Sequence, residues 1–361
     1  MNTRKSNIEA LRIVCMLMIV GGHILISQES MVQTGTLDFY IGNIYRSFAI
    51  CAVDVFVLIT GYFGILFNVK KILSISFEVT FYSILIFIIA LAAGIHTINI
   101  KKDVLLLFPV ITQRYWFITI YVLLIIVSPL LNLISNKLEK KQYGFLVALI
   151  IVVFYWWPTV CYSLAAPSIT KDSGYGIVNF CCLYLMGRYI KLYLIEDEKV
   201  KRICFPVVTV ASGLLLFGAN SIVSAILGFY FQQYIGYDSI FCLFTAFALF
   251  MAFQSTEMKS KIVNSISKHC FAVYIIHAHP VIWNYFWAKD TGVIKHNLHG
   301  IELICYLLLL PPLIYLVCWA IDCVRTKCFG KSEAKLLDWI SNQIFCKRIN
   351  EEMRLIEKIG D

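Results

Sequence analysis

Ten long apolar segments, separated by short polar connections, make up most of this chain. They lie at about residues 8–26, 47–67, 73–95, 115–134, 143–164, 174–195, 203–221, 236–254, 266–288 and 303–324. An α-helix needs about 20 mainly apolar residues to cross a bilayer, and most of these segments are close to that length. The pattern predicts an all-α integral membrane bundle of about ten transmembrane helices. Region 203–235 fits either one long helix or a span followed by an interfacial turn.

The composition excludes an ordinary soluble domain. Hydrophobic residues make up 60% of the chain, charged residues only 15%, and the mean hydropathy is +0.77. A soluble domain carries roughly 25% charged residues and could not bury this much apolar surface in one core. The net charge of +9 lies in short connections rather than on one basic face. We therefore expect contact with membrane lipid and no nucleic-acid partner.

The distribution of Lys and Arg predicts the orientation, because cytoplasmic connections carry an excess of both. One alternate set of connections, with the two ends of the chain, holds 22 of the 31 Lys and Arg residues, and the opposite set holds 7. Both termini are therefore predicted to be cytoplasmic, which requires an even number of spans. We divide the chain into a transmembrane domain, 1–325, and a charged, amphipathic cytoplasmic tail, 326–361.

The first span carries three ionisable residues, which are costly inside a membrane and are therefore functional candidates. Glu9 and Arg12 are three residues apart, so they are neighbours on one helix face. His23 follows Arg12 by eleven residues, which returns to the same face about 16 Å further along the axis. Alternatively, Glu9 and Arg12 form an ion pair that only anchors the helix, and His23 is a structural, hydrogen-bonded histidine.

Five further polar or aromatic residues are candidates for lining a binding site. Asp54 lies in an apolar segment about two turns after Arg46, so the two could instead form a structural bridge. Arg114 and Trp116 open the fourth span, where an interfacial aromatic belt is the alternative. His277 could equally make a structural hydrogen bond. The thirteen cysteines include no Cys-x-x-Cys pair, and no Cys/His cluster has the spacing of a metal site, so no metal is predicted.

The ordered set of these residues resembles the membrane-bound acyltransferase-3 family. Arg12 and His23 match the basic-x10-His pattern of its first helix. Further similar segments follow in the same order along the chain: Asp54 to Phe63, where Thr60 stands in place of the usual Ser; Trp116 to Asn132, with Ser128-Pro129; Gly187-Arg188-Tyr189; and Ser265 through His277. The resemblance covers about residues 1–325.

The resemblance implies an acyl-CoA donor, often acetyl-CoA, and a surface polysaccharide or lipid-linked sugar as acceptor. It implies His23 as the essential catalytic residue, acting as a base or forming an acyl-histidine intermediate. No bound cofactor is expected. The donor phosphates are expected near Arg12, with Arg4 and Lys5 close by, and Glu9 is expected to orient Arg12.

Localisation in a bacterial cytoplasmic membrane, with several spans, follows from the same resemblance. The acyl group is expected to be acetyl, with succinyl as an alternative. The competing function is a transporter or flippase for glycans or small solutes, which would have a similar composition. Transporters often contain paired halves or interrupted helices at matching positions, and this sequence has neither.

Overall fold

The computed structural model describes residues 5–26, 33–164, 166, 172–287 and 298–357. Every regular element in these residues is helical. The α-helices are α1 (Ser6–Ile26), α2 (Leu37–Ala49), α3 (Ala52–Phe63), α4 (Val69–Ala92), α5 (Ile100–Asp103), α6 (Trp116–Lys137), α7 (Lys140–Ile151), α8 (Trp157–Ser163), α9 (Ile177–Tyr189), α10 (Glu198–Lys201), α11 (Phe205–Leu227), α12 (Ile240–Gln254), α13 (Lys261–Ser267), α14 (Cys270–His277), α15 (Pro280–Ile282), α16 (Gly300–Ser341) and α17 (Ile344–Glu357). Short 3-10 turns lie at Val104–Leu107 and Gln233–Ile235, and π-helical turns at Val152–Trp156, Ile190–Leu194 and Trp283–Trp287.

Among the described residues, eight helical segments are long and apolar enough to cross a membrane. They are Ser6–Ile26, Leu37–Phe63, Val69–Ala92, Trp116–Lys137, Lys140–Ser163, Ile177–Leu194, Phe205–Leu227 and Gly300–Ser341. The prediction of an all-helical membrane protein with several spans is confirmed.

Two of the ten predicted spans differ in the structure. The segment predicted at 236–254 forms α12, which has 15 residues and is therefore only about 22 Å long. The segment predicted at 266–288 is divided among α13, α14 and α15. Pro280 disfavours a helical conformation at the preceding residue, and His279 has ψ 134°, so the helix is interrupted there.

The region 203–235 forms a long helix followed by a turn, which is the second of the two arrangements that the sequence allowed, and not one continuous helix. Helix α11 ends at Leu227, and Gly228 adopts a left-handed conformation with φ 74°, which closes the helix. The 3-10 turn Gln233–Ile235 follows before α12 begins. The sequence therefore contains one span here and a structured turn.

Helix α16 continues past residue 325, the predicted end of the transmembrane domain, and ends only at Ser341 within the predicted tail. The charged residues of its second half are good helix formers, so the change in polarity there does not end the helix. Helix α17 then packs against α6 and α4. Asn350 accepts a hydrogen bond from the Val69 backbone N–H at 2.9 Å.

The structure divides into two compact units. The first comprises the described residues within 1–64, 138–268 and 295–313, and the second those within 65–137, 269–294 and 314–361. In the first unit, α3 packs against α9, α12 and α1, and α11 packs against α12 and α2. The short helix α12 is largely buried by these neighbours. In the second unit, α4 packs against α14, α15 and α17.

Candidate active site on the first helix

The first two turns of α1 contain an ion pair between Glu9 and Arg12. Glu9 is almost completely buried, and its carboxylate lies 3.5 Å from the Arg12 guanidinium. The Ser267 hydroxyl, at the end of α13, donates a hydrogen bond of 2.6 Å to the same carboxylate. The Arg12 side chain is 35% exposed. The Glu9 carboxylate is therefore held from two sides, by Arg12 and by Ser267, and the Arg12 side chain is only partly buried.

Two neighbouring residues attach the first turn of α1 to the segment that follows α12. The Asn7 side-chain amide donates to the carbonyl oxygens of Phe253 and Thr256, both at 2.9 Å. The Ser6 hydroxyl accepts a hydrogen bond from the Ser260 backbone N–H at 3.0 Å. These contacts hold the α12–α13 connection beside the N-terminal end of α1.

This connection lines a large cavity of about 1500 Å³ within the first unit. A pocket for a drug-sized molecule is about 300–1,000 Å³, so this cavity is larger than such a pocket. Four lysines and two glutamates contribute to the lining, which is therefore basic on balance. The charged lining residues are Lys5, Lys201, Lys259, Lys261, Glu196 and Glu257.

The far end of α1 carries His23, which is partly exposed. Tyr45 of α2 packs on Gly21, where any larger side chain would collide with the phenol. A side chain at Gly22 would instead meet no described atom within 4 Å. The helix is thus in close contact with α2 at Gly21, whereas the position of Gly22 is open with respect to the described residues.

Lys5 belongs to a second group of cations, around Tyr62. Its ammonium group lies 3.3 Å from the Tyr62 hydroxyl and 5.5 Å from the ring centroid. Lys191 approaches the same ring at 5.3 Å. An aromatic face attracts cations, so Tyr62 holds two lysines near the start of α1.

Helices α3 and α9 cross with their backbones in contact, and two of the segments that carry the family resemblance lie there. A Cβ atom at Gly61 would collide with the Tyr184 carbonyl oxygen, and one at Gly187 with that of Leu58. Only glycine permits so close an approach. Those segments therefore set the distance between two helices.

Asp54 and Arg46 do not form the structural Asp–Arg bridge that the sequence allowed as an alternative. Asp54 is fully buried, and it accepts hydrogen bonds from the Asn179 amide at 3.4 Å and the Cys242 thiol at 3.3 Å. The Arg46 guanidinium lies 5.6 Å from the centroid of the Tyr230 ring. Burial raises the pKa of the Tyr230 phenol, so the ring that meets this cation is neutral. The two residues therefore pair with different neighbours.

Three candidates lie in the second unit. His277 is 2% exposed, and its Nδ1 lies 2.6 Å from the Val273 carbonyl oxygen. Arg114 and Trp116 are partly exposed at the start of α6. Arg4, which we expected near the donor phosphates, lies outside the described residues.

A family model described as an acyltransferase domain, that of the acyltransferase-3 family, matches residues 5–323. This range includes Arg12, His23 and all of the similar segments. The chain belongs to this acyltransferase family. No match to the chain was found among curated protein sequences or among solved structures. The chain is thus a membrane-embedded acyltransferase with several spans.

Ser267, which contacts Glu9, was not identified as a candidate site residue from the sequence of this acyltransferase. Ser267 lies more than 250 residues after Glu9, and a serine at the end of a short helix is an ordinary feature. It does lie within the segment Ser265 to His277 that resembles the family, which was the only available signal. Its contact with Glu9 depends on the tertiary fold.

Proposed function

We propose that this protein transfers an acyl group from acyl-CoA to a hydroxyl group of a cell-surface polysaccharide or lipid-linked sugar, with His23 as the catalytic base. The observation that carries the proposal is the arrangement of α1. Lys5, Ser6 and Asn7, at the start of this helix, line a basic cavity, and Arg12, whose side chain is 35% exposed, is paired with Glu9 further along. The partly exposed His23 lies about 16 Å beyond Arg12 along the helix.

The donor would bind with its phosphates at the basic end of α1. Charge-assisted hydrogen bonds from Arg and Lys are the strongest contacts that a protein offers to phosphate. Lys5 lines the cavity, and Arg12 follows it by two helical turns. The long flexible arm of CoA would then extend along α1, and its thioester would lie near His23.

At the thioester, the neutral imidazole of His23 would accept the proton of the acceptor hydroxyl as that oxygen attacks the carbonyl carbon. The C–S bond then breaks, and the proton passes to the CoA thiolate. In the alternative route, the imidazole attacks first, and an acyl-histidine passes the group to the acceptor. Both routes use the same residue and release the same products.

The acceptor would lie on the far side of His23 from the donor phosphates. Trp116 and Arg114 are partly exposed, and an indole ring and a guanidinium are groups that can contact a sugar face and its hydroxyl groups. Together with Arg46, Asp54 and His277, they stay the candidates for acceptor binding that the sequence predicts. We place the enzyme in a bacterial cytoplasmic membrane, with acetyl as the favoured acyl group and succinyl as the alternative.

The proposal predicts that His23→Ala and His23→Gln abolish acyl transfer, while both variants still insert into the membrane. The full chain in lipid nanodiscs would be supplied with radiolabelled acetyl-CoA and a glycan acceptor, and both CoA release and glycan labelling would be measured. General-base catalysis contributes about 10²–10⁴-fold, so the loss would be at least of that order. His96→Ala, which changes a partly exposed histidine in a loop, is the control and should retain activity.

Normal O-acyl content of the surface glycan in a strain that carries only His23→Ala would contradict the assignment. Glycan transport by the purified protein without any release of CoA would support the transporter instead.

A further inference from the structure

A cysteine, a histidine and an aspartate form a chain of contacts in the second unit. The Cys323 sulfur lies 3.6 Å from His269 Nε2, and His269 Nδ1 lies 2.6 Å from an Asp322 carboxylate oxygen. Cys323 and Asp322 are adjacent on α16, and His269 directly precedes α14. A nucleophile, a base and a residue that orients the base are the three components of an activated nucleophile.

The other contacts of Asp322 fix the role of His269. Its second carboxylate oxygen accepts hydrogen bonds from the Tyr82 hydroxyl at 2.7 Å and from Arg325 Nε at 2.6 Å. A carboxylate with these donors acts as an acceptor toward His269, so Nδ1 carries the proton. The lone pair of a neutral imidazole is then on Nε2, the atom that faces the thiol.

Ion pairs hold this arrangement in place. The Arg325 guanidinium, which binds Asp322, also contacts Glu333 at 2.6 Å and Glu78 at 3.4 Å. These partners attach the cluster to α4 and to the next turns of α16. The base is therefore positioned before any substrate arrives.

A hydrogen-bond donor beside the cluster has no acceptor within the described part of the chain. The Trp319 indole Nε1 is buried and unpaired among the described residues, one helical turn before Cys323. The indole ring lies edge-on to the His269 ring, with 6.4 Å between centroids. An unpaired buried N–H is costly, so it is a candidate for binding a carbonyl oxygen of a ligand.

We propose that Cys323 is a second acyl-accepting nucleophile of this protein, which His269 and Asp322 activate toward an acyl thioester. The Sγ–C bond forms as the C–S bond to CoA breaks. The thiol proton moves to His269 Nε2 and then to the departing CoA thiolate, so the products are S-acyl-Cys323 and free CoA. Trp319 Nε1 would donate a hydrogen bond to the carbonyl oxygen during the attack.

The position of the thiol suits this reaction. Cys323 is partly exposed, so a reagent can reach it. The predicted topology places this end of α16 on the cytoplasmic side, where thiols stay reduced and acyl-CoA is present. The inference rests on the acyl-CoA donor of the proposed function but uses none of the residues of α1.

The test is to incubate the full chain in nanodiscs with acetyl-CoA, without a glycan, and to map acetylation by mass spectrometry. We expect an acetyl group on Cys323 that neutral hydroxylamine removes, as it does from thioesters. Cys328 is the matched control because it is exposed on the same helix and no histidine contacts it among the described residues. Cys323→Ser should lose the modification, and Cys328→Ser should retain it.

Two further variants separate activation from a structural role. His269→Asn keeps a donor for Asp322 but has no base at the position of Nε2, so acetylation should slow on the order of 100-fold. Trp319→Phe keeps the ring without its N–H and should also slow the reaction. Alkylation by iodoacetamide, which needs no acyl-CoA, should be faster at Cys323 than at Cys328 and should lose that advantage in His269→Asn.

Each possible result affects one proposal or both. Acetylation or alkylation of Cys323 no faster than of Cys328, or unchanged rates in His269→Asn, would overturn the inference and leave the role of His23 intact. The variant His23→Ala should lose glycan labelling but retain acetylation of Cys323. A wild-type chain that acylates neither Cys323 nor a glycan with acetyl-CoA or with succinyl-CoA would contradict both the inference and the acyl-CoA donor.

Discussion

A buried carboxylate needs polar partners, and Glu9 obtains them from its own helix and from the end of α13. The contact with Arg12 follows from their spacing of three residues. The contact with Ser267 does not, since it joins residues far apart in sequence. In the proposed mechanism Glu9 is therefore a positioning residue, and the hydrogen bond from Ser267 holds its carboxylate in place.

We predict that Ser267→Ala raises the KM for acyl-CoA by about tenfold while kcat changes little. A lost hydrogen bond to a buried charged group costs about 1–3 kcal/mol, and the proposed donor contact at Arg12 would weaken by a similar amount. Steady-state kinetics of CoA release would measure both constants. Ser267→Thr, which keeps the hydroxyl, should restore KM. The exposed Ser265 on the same helix is the control position, and a similar effect of Ser265→Ala would contradict the prediction.

At the scale of elements, the crossing of α3 and α9 shows why two short glycine-containing segments matter to this fold. The glycines let each helix rest on the carbonyl groups of the other. Without a hydrophobic driving force between helices in lipid, such close packing is a main source of association. The π-helical turn Ile190–Leu194 directly continues α9 and carries Lys191, so the position of α9 also affects the cation pair on Tyr62.

We predict that Gly187→Ala destabilises the protein by on the order of 1–3 kcal/mol or more, because the added methyl group forces two backbones apart. Thermal unfolding in detergent, followed by size-exclusion chromatography, would measure the change. Gly218→Ala on α11 is the matched control, since its methyl group would meet no described atom within 4 Å. That variant should be unchanged or slightly more stable. Equal stability of both variants would argue against the close crossing.

At the scale of the whole molecule, the number of membrane crossings depends on two segments that are not long, continuous helices. Eight segments of the described chain have the length and composition of spans. The prediction of ten spans with both termini inside requires α12 and the interrupted segment from α13 to α15 to cross as well. Helix α12 is shorter than the bilayer core, but its neighbours within the first unit cover most of its surface.

Reporter fusions would test this topology. Alkaline phosphatase, which is active only outside the cytoplasm, should be active when fused after Asn99 and inactive when fused after Ser260 or at the C-terminus. The reason is the predominance of Lys and Arg in the connections predicted to be inside. Activity at the C-terminus would mean an odd number of crossings and would overturn the predicted orientation.

The helices themselves could largely be predicted from sequence, because a bilayer imposes a minimum length on each apolar segment. The exceptions have local causes. Pro280 interrupts one segment, and α16 extends past residue 325 because charged residues form helix as readily as apolar ones. Hydropathy responds to polarity, so it places a helix end wherever the polarity changes.

The sequence alone determined the class of this protein, its family and the stripe of Glu9, Arg12 and His23, because length, charge distribution and helical spacing are properties of one segment at a time. Only the tertiary structure decided which partners these residues have. It assigned Ser267 to Glu9, separated Asp54 from Arg46, and brought Cys323, His269 and Asp322 together. Such contacts join distant segments, and their geometry arises from helix packing rather than from any local pattern.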